Sequence, residues 1–385
     1  MLKISRNNDV LVVAGDVSGD LHASNLVREL KKVAPSLIIH SIGGVRLKEV
    51  SDRFVYDLVS KGSFGFVDSV KSFGLWIKLI SIVRRFLEDK KPAFVIVVDF
   101  YGFNRQVLGL SRDRDIPVYY YIPPQVWASR PKRANTISKI CKEIFAIFPF
   151  EVDIYKKLGG RVSFFGHPLL DIVPDVDINK KIDIKKDDDF DYKIGILPGS
   201  RRSEIENHLG IFSKIFSNIE SKFKNSKGYV FAVNEFGDEY YETIIAENYT
   251  GNNIRVVRDN NYSIRKDMTF CLTCSGTATL ENALMGVPMI VGYKTSRINY
   301  ELSRAVIRIP YISLVNIILK REAVKEFIQG DLRVNKISAY VIDLLHNNDK
   351  YNAMVSEVYS IRKMLGENGV NKRIAEKIVS DFEII

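Results

Sequence analysis

Val10-Leu-Val-Val-Ala-Gly-Asp-Val-Ser-Gly-Asp20 is the stretch that decides the fold. Its first five residues form a continuous apolar run that stops at Gly15, and a helical pattern follows from Leu21 to Val33 with Leu26, Val27 and Leu30 on one face. That is a strand, a loop and a helix. A strand without polar alternation is buried on both faces, which predicts a parallel sheet covered by helices. The pattern recurs outward along the chain: Leu37–Ile42, a long helix around Val67–Leu87, Ala93–Asp99, a helix near Phe103–Leu110, then Val118–Ile122, Ile144–Phe148 and Val162–Phe165. A second series starts at Ile194–Leu197 and continues with Tyr229–Val233, Ile254–Val257, Met268–Leu272 and Pro288–Val291. The expectation is an α/β protein with two Rossmann-like, doubly wound domains facing a cleft, residues 1–170 and 193–345. The charge-rich segment 171–192 is read as the linker between them, too polar to build a core. The tail from Val334 to Phe382 reads as helical throughout, and its last part, 346–385, is placed to pack back on an N-terminal domain.

With 385 residues, 46% hydrophobic and 26% charged, the composition is that of a globular protein and excludes disordered and fibrous classes. No apolar run approaches the ~18 residues of a membrane span, because Lys78 and Arg84-Arg85 interrupt the most hydrophobic region. The apolar run near the N-terminus is too brief for a signal peptide, and the expected location is the cytosol. Cys141, Cys271 and Cys274 are few for this length, as in a reducing compartment, and Cys271-x-x-Cys274 is read as buried strand rather than as a metal or redox site.

The net charge of +10 resides in the first half: residues 1–170 hold 26 Lys and Arg against 16 Asp and Glu, while 171–385 balance at 30 and 30. Such asymmetry points to an anionic partner, nucleic acid or a phospholipid surface. The cations are scattered through a Rossmann pattern without the aromatic motif of a single-strand binder, which argues against nucleic acid. Phe73, Leu75 and Trp76, flanked by Lys71 and Lys78, instead read as an interfacial membrane patch.

Chemistry should lie in the loops after the strands. In Leu197-Pro-Gly-Ser-Arg201, Arg201 stands just before a helix, either as a solvated surface residue or where phosphate oxygens are held bidentately. Ser203 and Glu206 have the spacing of a capping box for that helix. In Ser275-Gly-Thr277 small residues open a second helix, letting backbone N–H groups approach an anion. Glu281, one turn in, is either an acid favoured by the helix dipole or an acceptor for a ribose diol. Asp99 ends a central strand as a structural cap or as a general base for a sugar hydroxyl. Gly15-Asp-Val-Ser-Gly-Asp20 lacks the spacing of a dinucleotide fingerprint, and His167 is read as a turn residue. Asp187-Asp-Asp189 is taken as solvated linker charge, so no metal is expected.

Taken together, the loops resemble one family, the lipid-A-disaccharide synthases, which are glycosyltransferases of GT-B architecture. The matching blocks are Gly15–Asp20, Gly102-Phe-Asn104 after Asp99, Pro124-Gln-Val-Trp-Ala128, Pro149-Phe-Glu151, Phe165-Gly-His-Pro168, Leu197–Arg201, Ser275–Glu281, Pro288-Met289 and Ser313-Leu-Val-Asn316, in the family's order across about residues 10–330. Two blocks depart from the family on the acceptor side. Asp99-Phe-Tyr-Gly-Phe-Asn104 lacks the family's second Asp, and Trp127-Ala-Ser129 stands where Trp-Ala-Trp is usual.

The resemblance implies an inverting transfer of 2,3-diacylglucosamine from its UDP conjugate to 2,3-diacylglucosamine 1-phosphate (lipid X), giving a β-1,6 disaccharide 1-phosphate and UDP, with no cofactor. It implies Asp99 as base; Gly199, Ser200, Arg201, Ser275, Gly276, Thr277, Glu281 and Asn316 on the UDP-sugar side; and Ser18, Gly19, Asn104, Gln125 and Trp127 on the acceptor side. It also implies peripheral attachment to the inner face of a Gram-negative inner membrane, and is compatible with a homodimer. The competing readings are another GT-B enzyme of UDP-sugars, such as an epimerase, an inactive relative, or a non-catalytic binder of nucleotides or anionic polymers.

Overall fold

The computed structural model describes residues 7–62, 69–182, 190–297, 300–301 and 309–382, apart from the side chains at 61–62, 69–73 and 75. The chain divides into two compact units, Met1–Asp171 with Leu365–Ile385, and Ile172–Met364.

The first unit is a seven-stranded parallel sheet of β1 (Asp9–Ala14), β2 (Ile38–Gly43), β3 (Arg53–Asp57), β4 (Phe94–Val98), β5 (Val118–Tyr121), β6 (Glu143–Ala146) and β7 (Val162–Phe164), in the order β3-β2-β1-β4-β5-β6-β7. Val10–Ala14 and Phe94–Val98 are wholly buried, because β1 and β4 lie side by side in the middle with helices on both faces. Each such Val or Leu contributes roughly 1.5–3 kcal/mol over leaving it in water. β3 escapes the sequence pattern because it is an edge strand with charged ends and a half-exposed body.

The second unit repeats the plan with β8 (Tyr192–Leu197), β9 (Ser226–Phe231), β10 (Ile254–Val257), β11 (Phe270–Cys274), β12 (Met289–Tyr293) and β13 (Glu326–Ile328), ordered β10-β9-β8-β11-β12-β13. β13 has three residues, too few to register as a period. In each unit the strand order reverses between the first strand and the fourth, β1/β4 and β8/β11, and the loops at their carboxyl ends are where such sheets bind ligands.

Two expectations about organisation are corrected. The segment after Asp171 is not a free linker but part of the second unit: the Arg362 side chain donates to the carbonyls of Val173 and Pro174 and pairs with Asp175, and Phe190 packs edge-on against Tyr192. The tail is three helices, Val334–His346, Asn348–Met364 and Val370–Ser380; the second stays with the second unit and the third returns to the first. Asp171 caps that last helix, accepting from the N–H groups of Gly369, Val370 and Asn371 and from the Asn371 side chain. The Tyr121 hydroxyl donates to Asn371 Oδ1, and Phe382 packs on Phe94 and Tyr119.

Candidate active site

In the first unit the loop after β4 carries Asp99. Both Asp99 and Phe100 take left-handed backbone, φ 48° and 31°, which costs a side-chain-bearing residue of order 1–3 kcal/mol and must be held by surrounding contacts. The contacts are specific. Asp99 N–H donates to the Tyr121 carbonyl, while the Asp99 carbonyl accepts from Asn104 Nδ2 at 2.8 Å and the Tyr120 hydroxyl at 2.7 Å. The Phe100 ring then lies where any side chain at position 15 would be, so the β1 loop needs Gly15. Burial first, and then the nearby Asp16 carboxylate, push Asp99 up to about 7, far above an ordinary carboxylate. A carboxylate poised near neutrality at a β1/β4 switch point is suited to take a proton from a hydroxyl.

Glu151 is a second perturbed acid, one that the sequence placed in a matching block without a role. It is fully buried at the start of the helix Pro149–Lys156, accepts from the N–H groups of Ile147 and Phe148 and from Trp127 Nε1 at 3.0 Å, and is pushed up to about 7 by burial. The Asp99 charge raises it further, so the two carboxylates sense each other. Trp127 is thereby fixed, edge-on to Phe148 and Phe150, and half-buried.

The remaining acceptor-side residues divide. Ser18 and Gln125 are exposed, but Gly19 is buried and donates to Asp16, whose carboxylate caps the helix Val17–Val33. Asn104 is corrected from ligand contact to scaffold: it is wholly buried, and both amide hydrogens go to the Val98 and Asp99 carbonyls. Asp20 ties the β1 loop to the β2 loop by accepting from Gly44, Arg46 and Leu47 N–H.

Phe73 and Leu75 of the expected membrane patch have side chains outside the described residues. Trp76 is no free surface residue, since it lies half-buried, edge-on to Phe103 at 5.6 Å. Its neighbour Ile77 is the exposed one.

In the second unit the β8 loop turns at Gly199, φ 117°, where an added Cβ would strike Glu204. Glu204, not the expected Ser203–Glu206 pair, closes the start of the helix Arg202–Lys222. Its Oε2 accepts from Ser200 and Arg201 N–H, and its Oε1 from the Arg201 guanidinium at 2.9 Å. Arg201 is left 80% exposed, so this pair adds little stability and leaves the guanidinium available to a ligand. Arg201, Ser203, Glu204 and Asn207 line a cavity of about 210 Å³ whose far wall is Tyr293, Lys294 and Thr295. Buried His208 spans that wall: Nδ1 donates to the Glu204 and Pro198 carbonyls and Nε2 accepts from Lys294 N–H.

The β11 loop sets Ser275, Gly276 and Thr277 at the start of the helix Thr277–Leu284, with Thr277 exposed and Gly276 at φ 155°. Glu281 is held by two neighbours that spacing did not reveal, the Tyr262 hydroxyl at 3.1 Å and the Arg265 guanidinium. Arg265 is itself buried, with its guanidinium over the Tyr262 ring. Cys271 and Cys274 are buried free thiols, pushed up to about 12 by burial, as core residues would be. Asp187–Asp189 lie outside the described residues.

Asn316 is corrected from ligand contact to scaffold. It is wholly buried, its Nδ2 donates to the Val324 carbonyl and Glu326, and its Oδ1 accepts from Ala323 and Val324 N–H, so every polar position is filled from within. Glu326 also accepts from Ile312 and Ser313 N–H, and Ser275 Oγ donates to the Ile312 carbonyl. Asn316 thus shapes the wall behind Ser275. Asn316→Ala should cost about 2–3 kcal/mol by stranding these buried partners, read as a lowered Tm with the donor KM following only as the Ser275 loop loosens.

The family model described as lipid-A-disaccharide synthetase matches residues 10–379. The chain belongs to the lipid-A-disaccharide synthase family. Family members similar to it include the synthase of Geobacter metallireducens (strain ATCC 53774 / DSM 7210 / GS-15), 33% identical with 96% of each chain covered, and that of Nitrosococcus oceani, 32% identical with 97% of this chain and 96% of the relative covered. Among solved structures, the UDP-GlcNAc 2-epimerase from Neisseria meningitidis bound to UDP-GlcNAc shares the fold with a TM-score of 0.64 at 15% identity, covering 97% of this chain and 100% of that one. The calicheamicin glycosyltransferase CalG4 does so at 0.63 and 13%, covering 99% and 100%. The lipid-A-disaccharide synthase fold seen here is therefore the GT-B pair of Rossmann-like units. No helix among the described residues is long and apolar enough to cross a membrane.

Proposed function

We propose that this glycosyltransferase of the lipid A pathway moves 2,3-diacylglucosamine from UDP-2,3-diacylglucosamine to the 6-hydroxyl of 2,3-diacylglucosamine 1-phosphate at the inner face of the inner membrane. The observation that carries the reading furthest is Asp99: a carboxylate set on a strained turn at the β1/β4 switch point, with its proton affinity raised by burial and then by Asp16. The acceptor oxygen attacks the anomeric carbon as its proton passes to Asp99. The bond from that carbon to the diphosphate oxygen breaks with inversion, and UDP leaves. Negative charge building on the diphosphate meets the Arg201 guanidinium, Ser200 and the N–H groups at Ser275–Thr277. Glu281, with Arg265 and Tyr262 fixing it, accepts from the ribose diol. Trp127, clamped by Glu151, and the exposed Ser18 and Gln125 flank the acceptor. The basic first half draws the protein to anionic lipid, where both acylated substrates reside.

Because these groups neutralise the leaving diphosphate, turnover in detergent micelles should be the same with and without EDTA, with the disaccharide 1-phosphate identified by mass spectrometry. Hydrolysis of the donor without disaccharide, or activity abolished by EDTA and restored by a divalent cation, contradicts the proposal.

A further inference from the structure

The loop after β5 runs from Trp127 through Ser129 into Arg130-Pro-Lys-Arg133, where the helix Lys132–Ile140 begins. Arg130 takes left-handed backbone, φ 53°, which folds the loop so that Arg133 N–H donates to the Arg130 carbonyl. Arg133 is lowered first by burial and next by the Arg130 charge.

Three other arginines of this unit have carboxylate partners: Arg112 with Asp113, Arg114 with Glu88 and Arg161 with Glu143. Among the described residues the guanidinium groups of Arg130 and Arg133 meet neither a carboxylate nor a carbonyl. Arg133 instead lies over the Tyr101 ring at 4.7 Å, which fixes the plane of its guanidinium while leaving the N–H groups unspent. Tyr101 is two residues beyond Asp99, and Arg133 also senses Tyr120, whose hydroxyl holds the Asp99 carbonyl. A cation held over Tyr101, two residues along the chain from Asp99, next to a second cation and with no carboxylate partner for either among the described residues, forms a place that a dianion relieves.

We propose that Arg130 and Arg133 form the subsite for the phosphate monoester of the acceptor, holding the sugar by its 1-phosphate so that its 6-hydroxyl, across the pyranose ring, reaches Asp99. This rests on the reading of Asp99 as the base for a phosphorylated acceptor. Phosphate chemistry could also come from the donor diphosphate or from an anionic lipid headgroup, and the test separates all three.

Arg130→Gln and Arg133→Gln would be assayed in non-ionic micelles with 2,3-diacylglucosamine 1-phosphate and with the same sugar lacking the phosphate. The expected result is a rise in KM for the phosphorylated acceptor of about tenfold or more per substitution, an unchanged donor KM, and unchanged turnover of the unphosphorylated acceptor. Lysine at either position should restore part of the loss. Equal losses on both acceptors, a change confined to donor KM, or weakened binding to phosphatidylglycerol vesicles with acceptor preference intact would each overturn the assignment. Direct binding of 2,3-diacylglucosamine 1-phosphate in the same micelles keeps the question separate from turnover: if wild-type protein binds it but forms no disaccharide, the reading of Asp99 fails. Weaker binding by the variants then still supports the subsite, and retained binding removes it.

Discussion

Asp99→Asn is expected to lower turnover by about 10²–10⁴-fold while making the folded protein more stable above neutral pH. The loss follows because an amide cannot accept the proton of the attacking hydroxyl. The gain follows from linkage. Asp99 is raised to about 7 in the folded protein against 3.8 ordinarily, so between those values the folded state holds more protons than the unfolded one. Stability therefore falls as pH rises through that window, and the penalty is fully present above about pH 7. Asparagine carries no charge to desolvate and tolerates left-handed backbone better than most residues. Thermal or urea unfolding should place the variant about 1–3 kcal/mol above wild type at pH 8 and level with it near pH 4. The same proton affinity sets the pH–rate profile: kcat/KM of the wild type should fall tenfold per unit below about pH 7. A variant with wild-type turnover, or one destabilised at pH 8, would show that Asp99 is a structural cap.

Arg201→Ala is expected to cost about 10²–10³-fold in kcat with little change in Tm. The side chain is exposed and its partner Glu204 still caps the helix by accepting from the backbone of Ser200 and Arg201 after the guanidinium is gone. An exposed ion pair contributes little to stability. On the proposed mechanism the cation acts where diphosphate charge grows, so its loss appears in kcat more than in donor KM. Lysine should recover part of the rate, since it supplies charge without the planar fork. Turnover within about twofold of wild type would remove Arg201 from the chemistry.

Much of the fold was legible because it depends on local pattern. Val10–Ala14 and Phe94–Val98 announce themselves as central strands by being apolar without alternation, and the loops that follow them hold Gly15, Asp16 and Asp99. What was not legible depends on distant partners. The strained turn of Asp99 needs Tyr120 and Asn104 to hold it, Glu281 needs Arg265, and Trp127 is fixed by Glu151, 24 residues away. Asn316 and Asn104 look like ligand residues in a motif, yet the whole Asn316 amide is spent on backbone and on Glu326, and the Asn104 NH2 on the Val98 and Asp99 carbonyls. The capping residue of the second-unit helix was missed because only Ser203–Glu206 has the Ser-x-x-Glu spacing, whereas Glu204 stands three residues after an arginine; Gly199 leaves Glu204 the room to cap. Segment 171–192 read as linker because its charges dominate, while buried Val173 and the Arg362 contacts that dock its first part are visible only in three dimensions.

The most direct test of the central claim is the linkage of the product. The protein would be incubated with UDP-2,3-diacylglucosamine and 2,3-diacylglucosamine 1-phosphate in micelles, and the purified lipid examined by NMR for the configuration at the new anomeric centre and the position joined. A single displacement with Asp99 as base predicts a β-1,6 disaccharide 1-phosphate and stoichiometric UDP. An α linkage, a bond to another hydroxyl, or an altered monosaccharide released without transfer would contradict it.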